Sequence, residues 1–328
     1  MPNFRLRNKL AALRPGAALA AATLMVVAAG TAAAGKFRAP EVFLLGDSQF
    51  AFGAGPTFFE FFDNFTENCG PYSKDERLIA DIDAMKVSVM GVRSTAIHSW
   101  VAHKWKRKKF VCEPDPKWQV NARLYGWPGR TDGTYVQLGR APDFQVCKPN
   151  KSALEVMVGD KMAQPKLMMF FFMGNAVHRW ANAPIRTAKD VRKLMEQLPK
   201  TTSCIVMTSV PSYKKKENRL RWKAQEGLKR AFAEAGSRCT FISGHTARSV
   251  RAFQNNPRHF RRNRAGRVKD PYHPNQRGAQ AFAELHRKAL CSAAIAGLKP
   301  HAIAARKAQQ TTQLLPADLQ KAGMPVVD

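Results

Sequence analysis

Short apolar runs alternate with longer segments of helical periodicity along most of the chain. Five of these runs are largely apolar and end in small or polar residues, at positions 41–45, 86–90, 166–173, 203–209 and 239–243. Continuous apolar runs of this length are typical of parallel strands that are buried on both faces of a sheet. We therefore predict one strand at each run.

The segments between the runs show the spacing of amphipathic helices. Residues 56–65 carry a crowded aromatic face, residues 187–198 an apolar stripe, residues 217–235 a basic amphipathic pattern, and residues 275–296 the apolar face of a closing helix. Strands and helices in alternation are connected by right-handed crossovers in nearly all proteins. The pattern predicts an α/β fold, a three-layer α/β/α sandwich with a central, mostly parallel five-stranded sheet.

Two segments fall outside this alternation. Residues 91–165, which follow the second predicted strand, are too many for a single crossover, so we expect an insertion that forms a subdomain, a lid or a hairpin. Residues 299–328 are rich in Ala, Gln and Lys and lack a strong apolar period, which predicts a flexible C-terminal tail. The folded domain is therefore expected to span residues 35–298.

Residues 1–34 have the composition of an export signal. Four cations precede a stretch of small, apolar residues, and three alanines close it at Ala34. This order is typical of a secretory signal peptide that is cleaved after Ala34, and an uncleaved membrane anchor is the alternative. Both interpretations place the remaining chain outside the cytosol, in the periplasm or secreted.

The cysteines support an oxidising compartment. All six lie beyond the signal and allow up to three disulfides. We predict a bond between Cys204 and Cys239, which occupy equivalent points of two neighbouring predicted strands, and one between Cys112 and Cys147, which would close the insertion. Buried free thiols are the alternative.

Composition and charge narrow the classes of partner. Hydrophobic residues make up 45% of the chain, which is enough for a buried core and excludes a disordered protein. The net charge is +29, and in an exported protein such a charge favours anionic envelope polymers as partners. Nucleic acid is the usual partner of basic proteins, but export argues against it.

Two short motifs carry candidate chemistry. Ser48 follows Gly46 and Asp47 at the carboxyl end of the first predicted strand, where open α/β sheets bind ligands. Near the other end of the chain, Asp270 precedes His273 by three residues, a spacing that lets a carboxylate hold the imidazole Nδ1 and leave Nε2 free to act as a base. Taken singly, each motif is also compatible with an ordinary helix start.

Together the two motifs resemble those of the SGNH, or GDSL-type, hydrolase superfamily. The resemblance covers residues 41–290 and implies a flavodoxin-like SGNH hydrolase fold in which Ser48 is the nucleophile, His273 the general base and Asp270 the orienting acid. It also implies an oxyanion hole with donors from Gly91, after the second strand, and Asn175, after the third. The family's third motif usually reads Gly-x-Asn-Asp, whereas here Gly174 stands directly before Asn175 and alanine follows.

The resemblance implies a serine esterase that works through an acyl-enzyme and needs no metal or organic cofactor. Export, charge and four tryptophans in the insertion favour an acylated, in particular O-acetylated, cell-envelope carbohydrate as substrate. The basic run at residues 258–267 is either a solvated surface or the rim of the site, where it would attract an anionic polymer. Membrane contact is expected only through residues 1–34, if they are retained.

Three alternatives stay open at this stage. A lysophospholipase or thioesterase would use the phenylalanines of residues 58–62 as an acyl pocket, although such clusters more often belong to a core. An acyltransferase would use the same triad with water excluded from the acyl-enzyme. A non-catalytic cationic protein would bind envelope polymers and hydrolyse nothing.

Overall fold

A computed structural model describes residues 39–103, 110–113, 123–126, 134–138 and 146–314. The predicted signal peptide, the tryptophans at positions 105, 118 and 127, and residues 315–328 lie outside the described residues. All described residues belong to one compact unit.

The described residues contain nine strands. Five of them, β1, β2, β5, β6 and β7, match the five predicted strands to within two residues at either end. The strands are β1 (Val42–Gly46), β2 (Val87–Val92), β3 (Arg123–Gly126), β4 (Thr134–Leu138), β5 (Leu167–Phe172), β6 (Ser203–Thr208), β7 (Cys239–Ile242), β8 (Phe260–Arg262) and β9 (Val268–Pro274).

Ten α-helices accompany these strands in the described residues. The four predicted helices correspond to α1, α7, α8 and α10. The helices are α1 (Gly55–Asp63), α2 (Phe65–Cys69), α3 (Glu76–Asp83), α4 (Ile97–Trp100), α5 (Ala153–Gly159), α6 (Val177–Asn182), α7 (Pro184–Gln197), α8 (Lys215–Glu234), α9 (Ala247–Phe253) and α10 (Gln276–Leu314).

The main sheet confirms the predicted fold class and has more strands than predicted. Its strand order is β3-β4-β2-β1-β5-β6-β7, with every neighbouring pair parallel except β3 and β4. The insertion contributes β3 and β4 as an antiparallel pair at one edge, so the sheet has seven described strands rather than five. In the described part of the insertion, these two paired strands extend the sheet.

Helices cover both faces of this sheet, as the alternation of side chains along each strand requires. In β5, Leu167, Met169 and Phe171 pack with α1, α3 and α10, and the intervening Met168 and Phe170 pack with α4 to α8 on the opposite face. All five side chains are buried. The protein is therefore a three-layer α/β/α sandwich with one apolar core on each side of the sheet.

The closing helix is longer than predicted. It continues to Leu314 with Pro300 inside it, and both Leu298 and Ala302 are fully buried against the core. Arg306 on the same helix forms an ion pair with Asp81 of α3. The predicted start of a flexible tail at residue 299 is therefore wrong, because apolar and charged contacts hold the helix against the domain.

Three disulfides link the described cysteines, and none is left free. Cys204–Cys239 and Cys112–Cys147 are the two predicted pairs, and Cys69–Cys291 joins α2 to α10. Such bonds persist in oxidising, extracytoplasmic compartments. Among the described residues, no helix is long and apolar enough to cross a membrane.

Candidate active site

The turn that carries Ser48 is built on a buried aspartate. β1 ends at Gly46, and the Asp47 carboxylate beneath the turn accepts hydrogen bonds from the backbone N–H of Gln49 at 2.8 Å and of Met173 at 3.5 Å. Burial raises the pKa of Asp47, and these N–H groups, His273 and Arg221 oppose that rise. Asp47 thereby fixes the turn to the end of β5 and leaves Ser48 on the surface of the sheet's carboxyl edge.

Ser48, His273 and Asp270 form a continuous hydrogen-bonded chain. The Ser48 Oγ lies 2.8 Å from the His273 Nε2, and the His273 Nδ1 lies 2.6 Å from the Asp270 Oδ2. Both distances are those of good hydrogen bonds. The three groups come from opposite ends of the chain, 225 residues apart for the serine and the histidine. The structure thus brings together the three residues for which the sequence predicted the roles of nucleophile, base and orienting acid.

Asp270 is held in the ionised state. Its other carboxylate oxygen accepts the backbone N–H groups of Tyr272 at 3.0 Å and of His273 at 3.2 Å. Partial burial raises the pKa of Asp270, but the hydrogen bond from His273 and those backbone bonds outweigh it, so the net pKa is lowered. An ionised Asp270 keeps the proton of neutral His273 on Nδ1, which leaves the Nε2 lone pair facing Ser48.

The triad's second half lies on a strand, not at the start of the last helix. Asp270 and His273 belong to β9, which pairs antiparallel with β8 in a separate two-stranded sheet. The helix α10 begins only after Asn275, whose side chain accepts the Gly278 N–H at 2.8 Å as an N-cap. A helix start, which is one of the local structures that the sequence allows for this motif, is therefore not what the structure shows.

Asn175 lies at the same edge of the sheet. It occupies a short 3₁₀ turn after β5, and its side-chain amide donates to the Thr95 carbonyl at 2.9 Å. Since β5 and β2 flank β1, the loops after these three strands meet around Ser48. One N–H of the Asn175 amide is used to orient it, and an amide nitrogen has a second to donate.

Gly91 does not lie on a loop. It is inside β2, paired with Gly46 of β1 and Gln137 of β4, and a Cβ at this position would lie 2.4 Å from the backbone nitrogen of Ala51. The glycine lets the turn after Ser48 pack directly on β2. This position does not support the predicted role of Gly91 as an oxyanion donor, because backbone groups of an inner strand are engaged in the sheet.

The loop after β2 and two buried polar side chains were not found by sequence reasoning. Ser94 has a left-handed backbone conformation, with φ of 62°, and is followed by the Thr95 that holds Asn175. Gln49 donates to the Tyr272 carbonyl at 2.8 Å and accepts the Val210 N–H at 2.9 Å, so it joins the serine turn to β9. Arg221 is buried below them and donates to the Val210 carbonyl at 2.9 Å.

The basic run at residues 258–267 lies beside the triad. It includes β8, and the Arg261 guanidinium donates to the Phe52 carbonyl at 2.6 Å and lies 5.1 Å from the centre of the Phe52 ring. The Phe52 ring in turn contacts His273 edge-on at 4.8 Å between ring centres. Only the Phe52 ring therefore separates the positive charge of Arg261 from the His273 imidazole.

Other aromatic candidates are structural. Trp100, the one tryptophan of the insertion that the structure describes, is almost fully buried in the core, and so is Trp180 of α6. Phe58 and Phe62 are likewise buried under the sheet, where Phe58 packs on Phe171 with 5.0 Å between ring centres. No group of His, Cys, Asp and Glu in the described residues could hold a metal ion.

No family model matches this chain. A search of curated proteins also finds no match. Among solved structures, the chain is similar to a DUF4886 family protein from Bacteroides uniformis, with 12% sequence identity and a TM-score of 0.38 over 79% of this chain and 94% of that chain. A likeness this distant carries no argument about function, so the function has to be argued from the site itself.

Proposed function

We propose that the protein is a serine hydrolase that cleaves carboxylic esters through an acyl-enzyme. The observation that carries this proposal is the unbroken Ser48–His273–Asp270 chain, with 2.8 Å and 2.6 Å between its partners. A lone serine is a weak nucleophile, and it is activated where a base lies within hydrogen-bond reach and a third group orients that base.

The proposed first step is attack on the ester. As the Ser48 Oγ forms its bond to the acyl carbon, His273 Nε2 takes the hydroxyl proton, and ionised Asp270 stabilises the resulting imidazolium. The bond to the leaving alcohol then breaks, and His273 returns the proton to that alcohol. Water repeats the sequence on the acyl-enzyme and releases the acid and free Ser48.

The negative charge that develops on the carbonyl oxygen needs donors. We assign one to the Asn175 side-chain amide, which the Thr95 carbonyl orients, and one to the Ser48 backbone N–H. In place of Gly91 we assign the further backbone donor to the loop that begins at Arg93, since this loop, and not the inside of β2, meets Asn175. Each such donor is typically worth about 3 kcal/mol in the transition state.

The proposed substrate is an acylated, anionic carbohydrate of the cell envelope. The net charge of +29, the Arg261 that lies against Phe52 beside His273 and the disulfides of an extracytoplasmic protein all favour it. A lipid-esterase alternative loses its main support, because Phe58 and Phe62 are core residues. A purely binding protein would not need the triad geometry.

The test is hydrolysis of p-nitrophenyl acetate and its longer-chain homologues. We expect the parent to turn over the acetate best and Ser48→Ala and His273→Ala to lose at least about three orders of magnitude in kcat/KM. Exposed His178 provides the matched control, since His178→Ala should keep parental activity. A folded parent that is inert on every chain length would refute the esterase proposal.

A further inference from the structure

A groove runs between α8 and α9, on the side of the domain next to β9. Its volume is about 470 Å³, within the range of about 300–1,000 Å³ that is usual for small-ligand sites. The residues that matter here come from two helices: Lys215, Arg219 and Trp222 from α8, and Val250 and Arg251 from α9.

The groove combines an aromatic platform with positive charge. Trp222 is 45% exposed, the largest side chain among the exposed hydrophobic residues described. Lys215, Arg219 and Arg251 surround it, all three exposed, and no acidic side chain lines the groove. None of these three cations takes part in an ion pair between described residues. A large apolar ring rimmed by unneutralised cations is an unusual surface for a protein to leave open to water.

The groove is joined to the catalytic strand. The Tyr213 N–H donates to the Pro271 carbonyl at 2.9 Å, and the Lys214 ammonium lies 5.8 Å from the centre of the Tyr272 ring. Pro271 and Tyr272 lie between the two triad residues of β9, and Lys215, the next residue after Lys214, lines the groove. At the α9 end, the Asn255 N–H donates to the Tyr213 carbonyl at 3.0 Å. Contacts between directly neighbouring backbone segments therefore link the groove to the strand that carries Asp270 and His273.

We propose that this groove is a binding subsite for an acidic sugar unit of the substrate chain, which rests on the esterase function proposed above. One face of a pyranose ring presents C–H groups and is apolar, so it can stack on the exposed Trp222 indole. Arg219 and Arg251, which line the same groove, then pair with a carboxylate, sulfate or phosphate on the sugar, and an arginine fork suits each of these groups. The ester to be cleaved would lie on a neighbouring unit of the same chain.

Charge complementarity selects this occupant over a neutral glycan. A neutral sugar would leave the cations of the groove unpaired, whereas an acidic one neutralises them on binding. Affinity should therefore fall as salt is added, since exposed charges are screened over about 10 Å at 0.1 M ionic strength. Single-stranded nucleic acid also combines stacking with negative charge, and the test includes it as a competing outcome.

The test measures binding rather than turnover. The probe is tetragalacturonate, titrated by calorimetry into the full-length Ser48→Ala protein, with cellotetraose as the neutral comparison and a dT oligonucleotide as the nucleic acid. We expect saturable binding of the acidic tetramer that weakens about tenfold in Trp222→Ala and in Arg219→Gln/Arg251→Gln. Trp222→Phe should keep most of the affinity because a ring remains.

Two controls separate this subsite from a general effect. Tyr72→Ala removes another exposed aromatic side chain, and Lys229→Gln removes an exposed cation further along α8. Both should bind like the parent. Hydrolysis of p-nitrophenyl acetate, which is too small to reach the groove, should be unchanged in Trp222→Ala made in the active chain.

The outcomes distinguish the two proposals. If the parent does not hydrolyse p-nitrophenyl acetate but Trp222 is needed for binding of the acidic tetramer, the esterase proposal fails and the subsite stands. If hydrolysis is normal but the acidic tetramer does not bind, or binds equally to Trp222→Ala, the subsite is refuted. Equal affinity for cellotetraose, or tighter binding of the oligonucleotide, would also overturn it.

Discussion

At the residue scale, Asp270 is the group on which the proposed chemistry most depends. One of its oxygens orients the His273 Nδ1 and the other is held by two backbone N–H groups. Asp270→Asn would preserve the shape of the site but remove the charge that stabilises the imidazolium and selects the tautomer. We expect kcat to fall by about 10⁴ with little change in KM.

Asp75 provides the control for this substitution. It is the N-cap of α3 and accepts the Leu78 N–H at 2.8 Å, and asparagine caps helices as well as aspartate does. Asp75→Asn should therefore keep full activity in the same p-nitrophenyl acetate assay. Retention of more than about a tenth of the parental kcat by Asp270→Asn would show that the carboxylate is not the orienting acid.

Asn175 provides a second prediction at this scale. Its side chain is only partly buried and makes one described hydrogen bond, to Thr95, so Asn175→Ala should fold normally. Loss of one oxyanion donor should lower kcat by about 10²–10³. Asn182→Ala, at an exposed position of α6, is the comparison, and equal kcat values for the two variants would remove Asn175 from the mechanism.

The sequence indicates the three residues of the proposed triad but not the side chains that hold them in place. Ser48, Asp270 and His273 can be recognised in the sequence because the two short motifs contain the very side chains to which the chemistry is assigned. Gln49 and Arg221 matter because of their contacts: Gln49 bonds to β9 and to Val210, and Arg221 bonds to Val210. Gln49 and Val210 are 161 residues apart, and no pattern in the sequence reveals a contact over that separation. Gly91 matches a motif position, but in the structure it lets the serine turn pack closely on β2. Only the folded structure shows that the turn lies against this glycine.

At the scale of elements, strong periodicity predicted the structure and weak periodicity did not. The inner strands are largely apolar, so their sequence identifies them. β8 has three residues, two of them exposed arginines, and its pairing with β9 depends on contacts outside both strands. For the same reason the sequence does not predict β9 as a strand. The extension of α10 past residue 298 depends on its contact with α3, which the composition of the helix does not encode.

The packing of α6 on α8 gives a prediction for one glycine. A Cβ on Gly227, in the middle of α8, would lie 2.1 Å from the Trp180 carbonyl oxygen, so Gly227→Ala must separate the two helices. We expect this variant to be destabilised by about 1–3 kcal/mol, measured by urea denaturation.

Gly159 is the matched control for the same substitution. It ends α5, and a Cβ there would meet no atom within 4 Å. Gly159→Ala should therefore be neutral or stabilise the protein by up to about 1 kcal/mol, because alanine restricts the unfolded chain. If both alanine variants unfold at the same urea concentration, the close approach of α6 and α8 is not as described.

At the scale of the whole molecule, two buried histidines make stability depend on pH. Burial lowers the pKa of His286 to about 4. Burial, with further contributions from Arg221 and His286, holds the pKa of His245 well below its usual value. In the unfolded chain the pKa of both histidines would be about 6.5. Between these values the unfolded state binds more protons than the folded state, so the free energy of unfolding decreases as the pH falls.

His286 alone should cost about 2 kcal/mol of stability between pH 7 and pH 5. Urea denaturation at both pH values measures this difference, and His286→Gln should reduce it, whatever the substitution does to stability at pH 7. His178→Gln, at an exposed position, should leave the difference unchanged. An identical pH dependence in the parent and His286→Gln would contradict the buried, neutral state of this residue.

The fold brings Ser48 and His273 together although they are far apart in the sequence. Ser48 follows the first strand, β1, and His273 lies on the last strand, β9. The most direct test of this assembly is labelling by a fluorophosphonate, followed by mass spectrometry of the peptides. The account predicts one phosphonylated residue, Ser48, in the parent and almost no labelling in His273→Ala. Labelling of a different residue, or equal labelling of Ser48 without His273, would contradict the claim that these residues form a catalytic triad.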